Sequence, residues 1–203
     1  HDALAPLQLG VMVSEQGHVL NHILFQGREG LLPIDVVAVV SNHEDWRAEV
    51  EWHGIDFHYV PVTRETKADS ESFVLDLMKR TGAEALILAR YMQILSDDLC
   101  RELHGRAINI HHSLLPSFKG ARPYEQAHDR GVKVIGATAH YVTAALDEGP
   151  IIEQDVARVN HSMSAEALTV AGSDLECTAL SRAVKWHAEH RVLLNGNKTV
   201  VFS

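Results

Sequence analysis

Asn109, His111 and His112 close one short apolar run, His140 closes another, and Asp147 follows seven residues later. An amide, imidazoles and a carboxylate at strand ends are the groups that bind a developing oxyanion, donate a proton and activate water at a carbonyl carbon. If Ala107 to Ile110 is a strand running into His111, alternation points Asn109 and His111 one way and Ile110 and His112 the other. Two polar side chains then share a face at a carboxyl end, where open parallel sheets bind ligands. From this segment alone, a strand ending in a polar loop reads as well. Asp147 lies too far from His140 for one strand to hold both, so it belongs to a loop stiffened by Gly149-Pro150, or to an ordinary turn.

The elements that must position these groups follow from the hydrophobic pattern. Short β-branched runs alternate with longer amphipathic stretches, which predicts an α/β fold: a doubly wound, mostly parallel sheet with helices on both faces. Expected strands are Leu7 to Val13, Ile34 to Ser41, Ile55 to Val60, Ala85 to Ala89, Ala107 to Ile110, Val134 to Val142 and Ile151 to about Val159. Helices are expected over Val19 to Leu24 with Gly27 and Gly30 as stops, over His43 to His53, and around Phe73 to Met78 ending at Thr81-Gly82. Others run from a cap at Ser96-Asp97-Asp98 to Leu103, from Pro123 to Gly131, and from Ser164 to His190 with a bend or break near Gly172. The tail, Val192 to Phe202, carries Asn195-Gly196 between apolar runs and predicts a C-terminal β-hairpin. No internal repeat or linker interrupts the pattern, so one domain is expected.

Composition narrows the classes. A length of 203 residues supports a core without staples, and Cys100 and Cys177 have no metal-finger or redox spacing. A cytoplasmic location is the expectation, with no membrane span and no secretion signal. A formal net charge of −9 argues against a nucleic-acid surface. His111, His112, His140 and Asp147 are acceptable metal ligands, but adjacent strand residues face apart, and His18 and His22 lack the glutamate of H-E-x-x-H; no metal is expected. The first strand-to-helix turn, Val13 to Asn21, has a single glycine and carries Glu15, a poor cradle for a phosphate or dinucleotide. Nicotinamide and flavin cofactors are disfavoured. Pro116, Gly120 and Pro123 punctuate a long loop in which Phe118 offers an apolar wall, or merely an anchor.

From Leu9 to Phe202 the chain resembles the folate-dependent formyltransferase superfamily, and within it the hydrolase branch, the formyltetrahydrofolate deformylases. The resemblance is carried by N-x-H at Asn109 and His111, S-L-L-P-x-F-x-G from Ser113 to Gly120, and H-x-V-x-x-x-x-D from His140 to Asp147. It implies a catalytic trio of Asn109, His111 and Asp147, and a folate pocket formed by Met92, Gln93, Ile94, Leu95, His140, Val142 and Thr143. The segment Met92 to Leu95 stands where transferases often carry arginine in place of Gln93, and the loop from Thr143 to Asp147 resembles the one whose backbone binds the pterin ring.

Glycinamide ribonucleotide formyltransferases, the nearest rivals, have a glycine-rich S-G-x-G-S-N turn where this chain reads Ser14-Glu15-Gln16-Gly17-His18-Val19, and N-I-H-P-S where it reads Asn109-Ile110-His111-His112-Ser113. The implied reaction is hydrolysis of 10-formyltetrahydrofolate to tetrahydrofolate and formate, within one-carbon metabolism and purine biosynthesis. No cofactor is implied. A small-molecule folate is the expected partner, in a homo-oligomer. Residues 7–203 would be a catalytic domain without the family's N-terminal ACT-type regulatory domain. A formyltransferase of the ribonucleotide type, or a folate-binding module without turnover, are the alternatives.

Overall fold

The computed structural model describes residues 5–117 and 122–202. Strands β1 (Leu7–Val13), β2 (Ile34–Ser41) and β3 (Phe57–Tyr59) alternate with helices α1 (His18–Arg28), α2 (Arg47–Trp52) and α3 (Lys67–Thr81). Next come β4 (Ala85–Ala89), α4 (Asp97–Glu102), β5 (Ala107–His111), α5 (Pro123–Asp129), β6 (Val134–Tyr141) and β7 (Ile151–Arg158). Helix α6 (Ala165–Ala188) and the hairpin β8 (Val192–Asn195) and β9 (Lys198–Val201) complete the chain. The main sheet has the order β3-β2-β1-β4-β5-β6-β7. Its pairings are parallel through β5, and β6 and β7 join antiparallel.

Alternation along the central strands builds two cores. Leu9, Val11 and Val13 of β1, Ile87 of β4, and Ile108 and Ile110 of β5 pack with Leu20 and Ile23 of α1 and Ala179 and Leu180 of α6. Leu86 and Leu88 of β4 point the other way, to Val74 and Leu77 of α3 and Leu99 of α4. Each such side chain removed from water contributes roughly 1.5–3 kcal/mol before entropy is counted. Helix ends follow their signals: Ser96 Oγ accepts from Leu99 N, Ser164 Oγ accepts from Ala167 N, and Gly82 closes α3 at φ 73.

Several expected boundaries move. The helix expected over His43 to His53 is confined to α2, because Trp46 is drawn away to donate from Nε1 to the Glu15 carbonyl. The strand expected over Ile55 to Val60 shrinks to β3, which pairs with only the last three residues of β2. Gly27 lies inside α1 rather than stopping it, and the left-handed turn falls at Gly30, φ 68. The hairpin forms, but Asn195 pairs with Lys198, so Gly196 (φ 59) and not Asn195 opens the two-residue loop. The wall expected of Phe118, with Gly120, lies outside the described residues.

The long C-terminal helix is unbroken at Gly172. This glycine instead admits a neighbour: a Cβ there would lie 2.0 Å from Tyr124 Cζ. Gly172→Val should therefore destabilise the protein by on the order of 1–3 kcal/mol through overpacking, outweighing a helix-propensity gain of a few tenths. Urea denaturation of the purified variant measures this. A midpoint equal to or above the parent's would show that Tyr124 does not need the space.

Candidate functional site

Strand pleating decides which polar groups meet. On β5, Ala107 packs with the α3/α4 core while Ile108 and Ile110 pack with the α1/α6 core. Asn109 and His111 therefore extend the Ala107 face, and His112 falls on the opposite side, its ring 6.3 Å from that of Tyr124. On β6, Ala139 and Tyr141 belong to the α1/α6 core, so His140 shares the Asn109 face, and pairing sets Asn109 directly opposite His140.

His140 fixes the orientation of the amide. Its Nδ1 lies 2.9 Å from the Tyr141 carbonyl, which can only accept, so Nδ1 carries the proton and Nε2 is a bare acceptor. Asn109 Nδ2, 3.2 Å from Nε2, must then be the donor. Burial holds the His140 imidazole below its ordinary pKa, which keeps the ring neutral for this task.

The loop from β6 to β7 delivers the carboxylate. It closes where Tyr141 N donates to Pro150 O at 2.9 Å, and a Cβ on Gly149 would lie 1.7 Å from the Tyr141 carbonyl oxygen. Only glycine lets the chain return so close to the strand. Asp147 adopts φ 56, a left-handed conformation that aspartate tolerates better than most residues. Its Oδ1 lies 3.4 Å from His111 Nδ1 and 4.0 Å from His140 Nε2. The adjoining His111 outweighs burial and holds the Asp147 carboxyl below the usual carboxylate range. The other His111 nitrogen, Nε2, is buried and has no hydrogen-bond partner among the described residues.

A cavity of about 210 Å³ opens over these groups. All ten residues singled out from sequence border it: Asn109, His111 and Asp147 at its polar end, with Met92, Gln93, Ile94, Leu95, His140, Val142 and Thr143 around them. Met92 and Ile94 are 60% and 62% exposed, apolar side chains at the mouth with little protein covering them. Their segment is anchored where Met92 N donates to Ser14 Oγ at 3.0 Å, and Ser14 Oγ donates in turn to Asn42. Adjacent His111 and His112 do not converge, and among the described residues no three His, Cys, Asp or Glu side chains are placed to share a metal ion.

Sequence reasoning missed Arg90, His112 and Leu146, which also border the cavity. Arg90 directly follows β4, a carboxyl-end position that could have flagged it. At φ 62 it brings its guanidinium to Gln16, donating from Nε and Nη2 to Oε1 at 3.1 and 2.7 Å, with Nε 3.6 Å from Glu176 Oε2. Glu176, buried on α6, also accepts from His18 Nε2 at 2.9 Å and from the Tyr124 hydroxyl at 2.8 Å. Burial alone would raise its carboxyl, but the His18 hydrogen bond and the Arg90 charge bring it below the ordinary range. His112, between this cluster and the cavity, is pushed down to about 3 by burial and the Arg90 charge. The turn that lacked a phosphate cradle is occupied from within: a Cβ on Gly17 would lie 2.2 Å from the Trp46 ring.

Residues 7–184 match the family described as formyl transferase. The chain is 58% identical over 191 residues to the formyltetrahydrofolate deformylase of Corynebacterium sp. (strain P-1), covering 94% of this chain and 67% of that protein. A crystal structure of formyltetrahydrofolate deformylase from Burkholderia mallei is 54% identical with a TM-score of 0.96, over 100% of this chain and 72% of that one. Glycinamide ribonucleotide transformylase 1 from Symbiobacterium toebii is 29% identical with a TM-score of 0.91, over 100% of this chain and 96% of that one. The chain thus spans about two-thirds of the length of its deformylase relatives.

Proposed function

Proceeding from a chain that belongs to the formyltetrahydrofolate deformylase family of formyl transferases, we propose that its pocket hydrolyses 10-formyltetrahydrofolate to tetrahydrofolate and formate. The observation that carries this reading is the convergence of Asp147, His111 and the oriented Asn109 amide at the polar end of one cavity. Folate occupies that cavity, its formyl group against Asn109 and His111.

Water attacks the formyl carbon while Asp147 takes its proton, a role worth typically ~10²–10⁴-fold. The carbonyl oxygen gains charge and is met by the Asn109 amide N–H and by His111 Nε2, each donor worth about 10²–10³-fold. Nε2 donates when the His111 ring carries both protons, and Asp147 balances that charge. Collapse of the intermediate breaks the bond from carbon to N10, which receives a proton, and formate departs. His140 acts through Asn109 by holding its amide in one orientation. The reaction uses water and protein groups, without a metal or organic cofactor.

The test is direct. Formate should appear from 10-formyltetrahydrofolate with no acceptor present, and added glycinamide ribonucleotide should neither speed folate turnover nor yield a formylated product. Formylated ribonucleotide at a rate comparable to formate would replace the hydrolase by a transferase.

A further inference from the structure

The carboxyl end of the sheet has a second side that the proposed reaction leaves unused. The strand order reverses between β1 and β4, and the crevice outside such a reversal is where open α/β sheets commonly bind ligands. Here Gln16 follows β1, Arg90 follows β4, and His18, Tyr124 and Glu176 join them from α1, α5 and α6. The Arg90 and Glu176 side chains are only 8% and 2% exposed, while Gln16 and His18 reach solvent and form the mouth. Two glycines make room for the fill: Gly17 beside Trp46 and Gly172 beside Tyr124. Burying an arginine and a glutamate costs desolvation that apolar packing would avoid, so core stability alone is a poor reason for this cluster.

The cluster adjoins the reacting groups. Arg90 and His112 border the folate cavity, and the His112 ring is 5.1 Å from that of His111. The same fold serves glycinamide ribonucleotide transformylases at TM-scores up to 0.91, enzymes named for a substrate amine as well as a formyl group. We infer that Gln16, His18, Arg90, Tyr124 and Glu176 fill the space an amine acceptor would need and so reserve the formyl carbon for water. The inference rests on the deformylase reading and names the residues that set its acceptor. With the mouth opened, an amine nitrogen would attack the formyl carbon, the bond from carbon to N10 would break, and the proton lost by the amine would end on N10. The products would be tetrahydrofolate and the formylated amine.

Gln16→Gly/His18→Gly opens the mouth while leaving Glu176 with Arg90 and Tyr124, so the buried carboxylate keeps partners. Parent and variant, each as the full chain, are given 10-formyltetrahydrofolate with glycinamide, and formate and formylglycinamide are quantified together. The parent should release formate alone, and the variant should raise the ratio of formylglycinamide to formate by about 10-fold or more, the scale one pocket contact contributes to discrimination. Gln16→Gly alone, at the solvent-facing turn, gives the same readout should the double variant fail to fold. Formate without formylglycinamide from a folded variant overturns the plug and leaves the hydrolase standing. Formylglycinamide from the parent at a rate comparable to formate overturns both.

Discussion

Asp147→Asn is expected to lower single-turnover formate release by at least about 10²-fold while an unreactive folate analogue binds within a few-fold of the parent. Asparagine keeps the shape and still offers an oxygen to His111 Nδ1, 3.4 Å away in the parent. It also tolerates the left-handed backbone that Asp147 adopts at φ 56, so the loop should hold its place. What disappears is a carboxylate held ionised by its imidazole neighbour, and with it the acceptor of the water's proton. Quenched single turnovers and calorimetry with the analogue separate chemistry from binding. Release within a few-fold of the parent would remove Asp147 from the reaction, and parallel loss of analogue binding would reassign it to holding folate.

Folding stability should collapse on acidification well before the carboxylates titrate. Burial pushes His112 down to about 3, with help from Arg90, and pushes His187 down to about 4, against an ordinary histidine near 6.5. In the unfolded chain both take protons as pH falls through 6.5, and in the folded protein they resist until far lower. The unfolded state therefore binds more protons across this window, and stability is full above 6.5 and drains below it. The two groups together are worth on the order of 4 kcal/mol between about pH 7.5 and about pH 5, a large share of a typical domain's 5–15 kcal/mol. His22, His58 and His140, also held below their ordinary values, act in the same direction. Denaturant titrations at the two pH values test this. A free energy of unfolding unchanged to within about 1 kcal/mol would mean that these rings protonate freely in the native state.

Strand boundaries were legible where both faces of a strand are buried. Leu7–Val13, Ile34–Ser41 and Ala85–Ala89 are apolar runs bounded by turn residues, and the structure ends them at the same positions. Boundaries set by distant partners were not: nothing near Trp46 says that its indole reaches the Glu15 carbonyl and shortens α2. Gly172 looks like a helix breaker because the ring that needs its missing side chain comes from Tyr124, far away in sequence.

The candidate site divides along the same line. Asn109, His111, His140 and Asp147 were visible as reactive types at the ends of runs, and alternation alone assigns Asn109 and His111 to one face. Arg90 and Glu176 were not visible as a pair, since their meeting depends on the packing of α6 against the sheet. One local clue existed: Glu176 interrupts the buried stripe of Leu175, Ala179, Leu180 and Ala183 with a charge that must find a partner.

The alternation of β5 also constrains how this protein can drift. Loss or gain of one residue between Ala107 and His111 would exchange the two faces, sending Ile110 and His112 toward the folate and turning Asn109 and His111 toward α6. Two chemistries, a reacting face and a filled crevice, hang from a single strand and invert together. Length changes in descendants of this gene should therefore be tolerated at exposed connections such as Val62 to Glu65, between β3 and α3, whereas the β5 segment can diverge only by substitution.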